Sequence, residues 1–591
     1  MHSKNGTRRK PVRVDSARIA MVCAEHFGSA ASAAGYSSVA SSFEKLRGAL
    51  RAKDGRRALA VASEPRLEVH DVAEQFFAAQ LGALVKRLQL PGYDPEAAAI
   101  QRWETAEWRC KWVNRRLVAW GRREWAQRPY RQHVDRMRQY IRAVLGDQPN
   151  LDQIFDLCRF GPGTSVGVHG DSTHFFAKLS GDAKWGVTRA CSNYAAGALS
   201  RVLGVHEMLG LSNDGLVCFD PEGFWHAFVE RSCTEDQHDS VLFVPKNSKT
   251  HRAIGQPVTL NSFVQLGVGD WISDRLRRFG LDLSTQRVNQ RLAQRGSLPD
   301  CHRDGRWATI DLEMASDTIT REVVKLLLPR EWYLFLDRLR VHTYRMGEGP
   351  VREYHKFSAM GNGFTFPLET LLFAAACHAV TGGSAPNDFI VYGDDIIVRQ
   401  GWALELIELL RFMGFRTNVD KTFVHGEFRE SCGEDYVAGL NIRPAFVKGE
   451  SYDSLQLIGL HNRVMESAFF VPAGLLPQLR AFAPHLPVRP WGGEDGGAFA
   501  LPYETYLSSD WYRRREASDI RRREGTYGPL LPYQGVIPDR LVAVPVLDDH
   551  EYRLGGLMQL SGALCGASSK DGAPHFAYRR RTRTYIERIL G

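Results

Sequence analysis

The sequence predicts an α+β fold of several lobes, in which an antiparallel sheet carries an acidic hairpin. Three observations point there. The chain has 591 residues, more than one compact core usually holds. Between about 240 and 440, short β-branched and aromatic runs alternate with helical ones, while 70–145 and the region beyond 450 read as helical or loop-rich. In the central region FIVYGDDIIV (389–398) sets two strand-length apolar runs around Gly393, Asp394 and Asp395, the pattern of a tight hairpin.

Composition bounds the function classes. Hydrophobic residues at 44% and charged residues at 24% describe a globular chain, neither disordered nor fibrous. The net charge of +9 favours a polyanionic partner, nucleic acid first, although many basic proteins bind none. Ten cysteines are scattered from Cys23 to Cys565 without a CxxC pair, which argues against structural zinc or a disulfide framework and fits a reducing compartment. The longest apolar stretch, Leu371 to Val380, is interrupted by His378 and is too short to cross a bilayer, so no membrane association is expected. The N-terminus (MHSKNGTRRKPVRV) reads as a solvated basic arm.

The elements follow in chain order. RWETAEWRCKWVNRRLVAWGRREW (102–125) interleaves Trp103, Trp108, Trp112, Trp120 and Trp125 with arginines. It reads first as an amphipathic helix with its tryptophans inward, and second as a nucleic-acid surface. FGPGTSVGVHG (160–170) is a loop without the Lys-Ser/Thr ending of a phosphate-binding P-loop. VPKNSKTHRAIGQP (244–257) spaces Lys246, Lys249 and Arg252 three residues apart on a strand–turn element, which suits a triphosphate as well as an exposed basic loop. ATIDL (308–312) is a buried strand with Asp311 at its end, and Asp317 lies six residues on, where a helix should begin. SAMGNGFTFPLETLLFAAA (358–376) is a flexible loop leading into an apolar helix with Leu368, Leu371, Leu372 and Ala375 on one face. Ser358, Asn362 and Thr365 are within reach of a ribose or a template backbone. After the acidic hairpin come an amphipathic helix from about Ala403 to Met413, GFRTNVDKTF (414–423) with Lys421, and FRESCGEDY (428–436), which reads as a second hairpin. Arginine runs at 513–515, 521–523 and 579–583 read as solvated faces.

The acidic residues carry the chemistry. An aspartate pair in a hairpin is also an ordinary turn. If the strand at 308–312 lies beside the 389–398 hairpin, however, Asp311 and Asp394 converge, with Asp395 adjacent. Carboxylates so placed repel unless hard cations such as Mg²⁺ fill the gap, the two-ion arrangement of phosphoryl transfer. Lys421 is then a candidate proton donor to a leaving pyrophosphate, although a lone lysine is more often simply exposed.

The order of these stretches is more specific than any one of them. A basic triplet, Asp-x₅-Asp, a Ser/Gly loop with its helix, a GDD hairpin and then Lys is the order of polymerase motifs F, A, B, C and D. Residues 240–440 closely resemble the replicase catalytic subunits of positive-strand RNA bacteriophages, the Qbeta-like leviviruses. The resembling stretches are VPKNSKTHRAI, GLDLSTQRVNQR (280–291), TIDLEMASD, SAMGNGFTFPLE, VYGDDIIV, GFRTNVDKTF and FRESCG. They cover about a third of the chain strongly; the N-terminal 150 and C-terminal 140 residues match loosely.

The resemblance implies an RNA-dependent RNA polymerase with a right-hand fold of fingers, palm and thumb, the antiparallel palm sheet carrying the GDD hairpin. It implies a basic arm and helical region over 1–90, mainly fingers over 91–310, mainly palm over 311–445 and a thumb with the C-terminal region over 446–591. Asp311, Asp394 and Asp395 would bind two Mg²⁺ (Mn²⁺ being an alternative), Asp317 with Asn362 would read the ribose 2′-OH, and Ser358 would lie at the nucleotide. Lys246, Lys249 and Arg252 would hold the triphosphate, and Lys421 would be the general acid. Implied partners are a single-stranded RNA template, NTPs, and host elongation factors Tu and Ts with a ribosomal protein, in the cytoplasm of an infected bacterium. Glu313 departs from the pattern, which has a small residue there; on a strand it would share a face with Asp311. A reverse transcriptase and a non-catalytic RNA-binding protein on the same scaffold are the rival readings. Gly393 and Asp317 speak against the first, and the retained aspartates against the second.

Overall fold

The computed structural model describes residues 13–63, 71–161, 163–166, 185–201, 221–235, 237–299, 306–466, 469–491 and 497–510. The strands 530–536, 540–545, 576–581 and 584–590 are described by backbone pairing alone. The basic arm before residue 13, most of the 160–170 loop and the arginine runs at 513–515 and 521–523 lie outside the described residues.

Two large apolar cores organise the chain. In the first, the helices Ser16–Ala33, Ser37–Arg51 and Val72–Lys86 pack with Val437, Ile442, Val447 and the helix Ser454–Glu466, so the start of the chain and residues 437–507 share one interior. The second core surrounds a three-stranded antiparallel sheet. Its strands run in the order Phe389–Tyr392, Asp395–Arg399, Trp307–Ile310, with Ile390 opposite Ile397 and Ile397 in turn opposite Thr309. All four residues of Trp307–Ile310 are buried, as an unbroken apolar run covered on both faces should be. Beyond this strand Thr309 exchanges backbone hydrogen bonds with Phe423 (3.0 and 2.8 Å), so the sheet edge is occupied.

Two sequence expectations shift here. The strand expected over 308–312 ends at Ile310, because Leu312 bridges to Thr417 and the Glu313 amide donates to the Arg416 carbonyl (2.8 Å). The helix Thr365–Thr381 is buried nearly all round rather than on one face. It lies between the helix Arg131–Leu145 and the strand Phe389–Tyr392, and Gly382 ends it in the left-handed conformation at φ +67°. The helix Ala403–Met413 and the hairpin of Phe428–Ser431 with Glu434–Val437 form where the sequence placed them.

The helix Pro95–Gly121 crosses beside the sheet. Asp94 caps it by accepting from the Glu96 and Ala97 amides (both 3.0 Å), and Pro95 occupies the first turn, where no amide is needed. Its buried stripe runs through Ala99, Trp103, Ala106, Cys110, Asn114 and Leu117. Trp103 and Trp120 face inward as expected, but Trp108 (60% exposed) and Trp112 (51% exposed) do not. Their positions fall on the opposite side of the 3.6-residue repeat, where the rings meet edge to face at 5.8 Å with Arg115 over Trp112.

A second, four-stranded sheet orders His251–Gln256, His238–Pro245, Thr343–Met346 and Arg352–Glu353, and its first hairpin carries the basic triplet. The following helix, Thr259–Arg278, touches the loop before Thr365 through glycine. A Cβ on Gly269 would lie 2.4 Å from the Gly363 carbonyl oxygen. Gly269→Ala is therefore expected to cost about 1–3 kcal/mol in chemical denaturation, since neither backbone can yield. Gly121→Ala, with nothing within 4 Å of the added methyl, is expected to leave the midpoint unchanged or slightly raised.

Candidate active site

The pairing of Tyr392 with Asp395 leaves Gly393 and Asp394 as a two-residue turn. Gly393 sits at φ +61°, and a Cβ there would lie 2.5 Å from the Phe366 ring and 3.1 Å from Glu369 Oε1. Its amide donates to Thr370 Oγ1 (3.0 Å), so the turn is seated directly on the helix Thr365–Thr381. Glycine is required by conformation and by space alike.

Register brings the second aspartate in. Ile310 stands opposite Ile396, so Asp311, one residue past the strand, arrives across from Asp395 and beside the turn. The 414–423 segment then holds it. Asn418 Nδ2 donates to Asp311 Oδ2 (2.7 Å), the Asn418 amide donates to the Asp311 carbonyl (2.8 Å), and Thr422 Oγ1 lies 3.3 Å from both the Asp311 amide and its carbonyl. Burial pushes the Asp311 carboxyl up to about 6, and the charges of Asp394 and Asp395 add to that, while Lys421 and Asn418 oppose it. Asp395 is also raised, by burial first, although its Oδ1 accepts from the Cys432 amide (3.0 Å). Asp395 is thus tied to the turn of the second hairpin, while Asp394 is partly exposed.

Lys421 Nζ donates to Glu430 Oε1 (3.1 Å) and lies 3.9 Å from Asp311 Oδ1. Burial alone would pull the ammonium down, but Glu430 and Asp311 outweigh it and leave it raised, so Lys421 is protonated at neutral pH. Lys246 and Lys249 lie in the turn between His238–Pro245 and His251–Gln256, which Asn247 Oδ1 closes by accepting from the Lys249 and Thr250 amides (3.0 and 2.9 Å). Arg252 stands opposite Val244. Although Lys246 is exposed overall, protein atoms crowd its ammonium and lower it. Arg252 and Arg102 add to that, and the charge of Asp394 opposes it, so the Lys246 ammonium lies within electrostatic reach of the acidic turn.

Asp317 sits in a single turn, Ser316–Thr318, where its Oδ1 accepts from Lys356 Nζ (2.9 Å). Ser358 lies at the start of the loop that leads into the helix Thr365–Thr381. It is buried, its Oγ accepting from Thr365 Oγ1 (2.8 Å), because the loop closes on its own helix start. Asn362 Oδ1 accepts from the Phe364 amide (3.0 Å) and the residue stays partly exposed. Glu313 is not on a strand and does not share a face with Asp311; it lies off the end of the sheet, 3.9 Å from Arg109 Nη1. Sequence reasoning missed Asn418 and Lys356, which the fold sets against Asp311 and Asp317, and Glu430 and Glu107, which it sets against Lys421 and Lys356. It also missed Glu369, a buried carboxyl beneath the turn, raised well above its usual range by burial and by Asp394 and Asp317.

Among the described residues, no group of three or more Asp, Glu, His or Cys side chains is close enough to hold an ion unaided. That suits Mg²⁺, which takes one or two carboxylates, water and substrate phosphates rather than a protein cage. The donors at the turn are hard carboxylate oxygens, and Asp311 is destabilised by its like-charged neighbours, so these residues fit such an ion. Among the described residues no helix is long and apolar enough to cross a membrane, and Cys23, Cys110, Cys158, Cys191, Cys377 and Cys432 are free thiols.

Relatives share this arrangement of sequence. The chain is 34% identical over 369 residues to the RNA-directed RNA polymerase subunit beta of Enterobacteria phage SP, covering 60% of this chain and 58% of that one. It is 33% identical over 376 residues to the Escherichia virus Qbeta subunit of the same name, covering 63% and 59%. It is 43% identical over 227 residues to the RNA-directed RNA polymerase beta chain of Enterobacteria phage fr, covering 38% and 41%. The chain thus spans less than two thirds of the length of these curated relatives. Among solved structures, an elongation-state BmCPV RNA-dependent RNA polymerase aligns at 13% identity over 60% of this chain and 33% of that one. Its TM-score of 0.32 is too low to establish a common fold. The family described as RNA replicase, beta-chain, matches residues 64–468, more than half of the sequence, and the chain belongs to that family.

Proposed function

We propose that the chain is an RNA-directed RNA polymerase that copies single-stranded RNA from NTPs by two-metal nucleotidyl transfer on a right-hand fold. In this reading 311–445 is mainly palm, 91–310 mainly fingers, and 446–591 carries the thumb. The observation that carries it is the register Ile310–Ile396, which sets Asp311 beside the Asp394 turn. The relatives' names, subunit beta and beta chain, also suggest that the protein works with further subunits. The host elongation factors and ribosomal protein are the candidates.

Each residue then has a physical task. Two Mg²⁺ ions between Asp311, Asp394 and the incoming phosphates would supply Lewis-acid stabilisation to the attacking 3′-hydroxyl and the leaving pyrophosphate. Asn418 and Thr422 hold the Asp311 carboxylate in place, and Asp395 supports the turn from the second hairpin. Lys246, Lys249 and Arg252 neutralise the triphosphate, Arg252 with paired donors. Lys421, kept protonated by Glu430 and Asp311, donates a proton to the leaving pyrophosphate. Asp317 accepts the ribose 2′-OH, with the Asn362 amide nearby.

Incubation with single-stranded RNA, Mg²⁺ and labelled NTPs, with and without host extract, tests the activity and its dependence on partners together. Asp394→Asn is expected to lower incorporation at least about a thousand-fold while RNA affinity stays within about two-fold, because affinity rests on many phosphate contacts. Undiminished synthesis by that variant would sink the metal assignment. Mg²⁺ should raise the thermal midpoint of the wild type but not of Asp311→Asn or Asp394→Asn, an outcome read by calorimetry without any turnover. Lys421→Met should reduce kcat about a hundred-fold with little change in KM if it is the proton donor; a change confined to KM would instead make it a binding residue.

A further inference from the structure

The helix Pro95–Gly121 does more than pack beside the sheet. The stripe Trp103, Glu107, Cys110, Asn114 lies against two short segments, 316–322 and 354–357. Cys110 Sγ meets the Asp317 carbonyl (3.4 Å), Asn114 bridges the His355 carbonyl and the Glu322 amide (2.8 and 3.0 Å), and Glu107 Oε2 accepts from the His355 amide (2.6 Å). The two segments also pair directly, through the Thr320–Lys356 bridge and the Phe357 amide on the Ile319 carbonyl (2.7 Å).

At the centre of this clamp lies Lys356, a fully buried side chain. Its Nζ is 2.9 Å from Asp317 Oδ1, 3.5 Å from Glu107 Oε1 and 3.2 Å from the centre of the Trp103 ring. A buried ammonium is tolerated only when its charge is answered on several sides, and two carboxylates with an aromatic face answer it here. Asp317 is the one member that reaches solvent. Its Oδ1 is taken by Lys356, whereas Oδ2 has no hydrogen-bond partner among the described residues.

We propose that Lys356 is a positioning residue for sugar selection: by holding Oδ1 it fixes the Asp317 carboxylate in one rotamer and presents Oδ2 to the 2′-OH of the incoming nucleotide. This rests on the reading of Asp317 given under Proposed function. A purely structural lysine would instead matter for stability and would leave the preference for ribose over deoxyribose alone.

The test is the ratio of kcat/KM for an rNTP to that for the matching dNTP. Lys356→Met combined with Glu107→Gln removes the ammonium without stranding a buried charge. It is expected to lower that ratio about ten-fold, the loss falling on the rNTP and chiefly in KM, as loss of a charge-assisted contact should. Asp317→Ala should lower the ratio at least as far, and adding the pair to it should lower it no further. If Asp317→Ala leaves the ratio unchanged, the ribose role of Asp317 is wrong. If Asp317→Ala lowers it but Lys356→Met/Glu107→Gln does not, or lowers rNTP and dNTP use equally alongside the thermal midpoint, the positioning role alone is overturned. Should that variant not fold, Glu107→Gln decides: with Lys356 still on Asp317 the ratio should stay within about two-fold, and a ten-fold loss overturns the proposal.

Discussion

Everything at the candidate site depends on one antiparallel register, Ile310 opposite Ile396. Strand side chains alternate between faces, so a slip of one residue would turn Asp311 away from the Asp394 turn and send the apolar run at 307–310 into the wrong layer. The sheet resists that slip because it is buried on both faces and its open edge is closed by Phe423. The apolar strands around the two aspartates are thus a rigid mount, and the carboxylates ride on its end.

The mount carries a cost that the surroundings only partly offset. Asp311, Asp395 and Glu369 are all raised, by burial first and then by the charge of Asp394 among others. Asn418, Lys421 and the Cys432 amide each relieve one carboxylate without filling the space between them. A site whose own residues leave negative charge in excess is poised for cations, and the Lys246 ammonium is near enough to feel the charge of Asp394. The same logic separates Asp317 from the others. Its neighbour is a buried lysine, which holds one carboxylate oxygen and leaves the other open to a hydrogen-bond donor.

Distant parts of the chain are recruited to hold this geometry. The 414–423 segment grips Asp311, the 428–437 hairpin grips Asp395, and the helix Pro95–Gly121 grips the segment after Asp317. The start of the chain, in turn, completes the core under residues 437–507. Backbone contact without side chains, as where Gly269 meets Gly363, lets the loop before Thr365 lie close enough for Gly393 to rest on Phe366 and Glu369.

The acidic hairpin, a strand just before Asp311, the helix Ala403–Met413 and the hairpin at 428–437 were all legible in the sequence. Their signals are local: side-chain alternation, apolar runs and turn residues within a dozen positions. The order of the motifs added the family. What only the tertiary structure decided is which polar side chain meets which. Lys356 and Glu107 are 249 positions apart, and nothing in either neighbourhood marks them as partners until the fold buries both beside Asp317. For the tryptophans of the helix Pro95–Gly121 the spacing already sets Trp108 and Trp112 opposite Trp103, but which side is buried depended on what lay against it. Periodicity is a property of the chain, but a buried charge is answered by whatever the fold places next to it, and that is settled only in three dimensions.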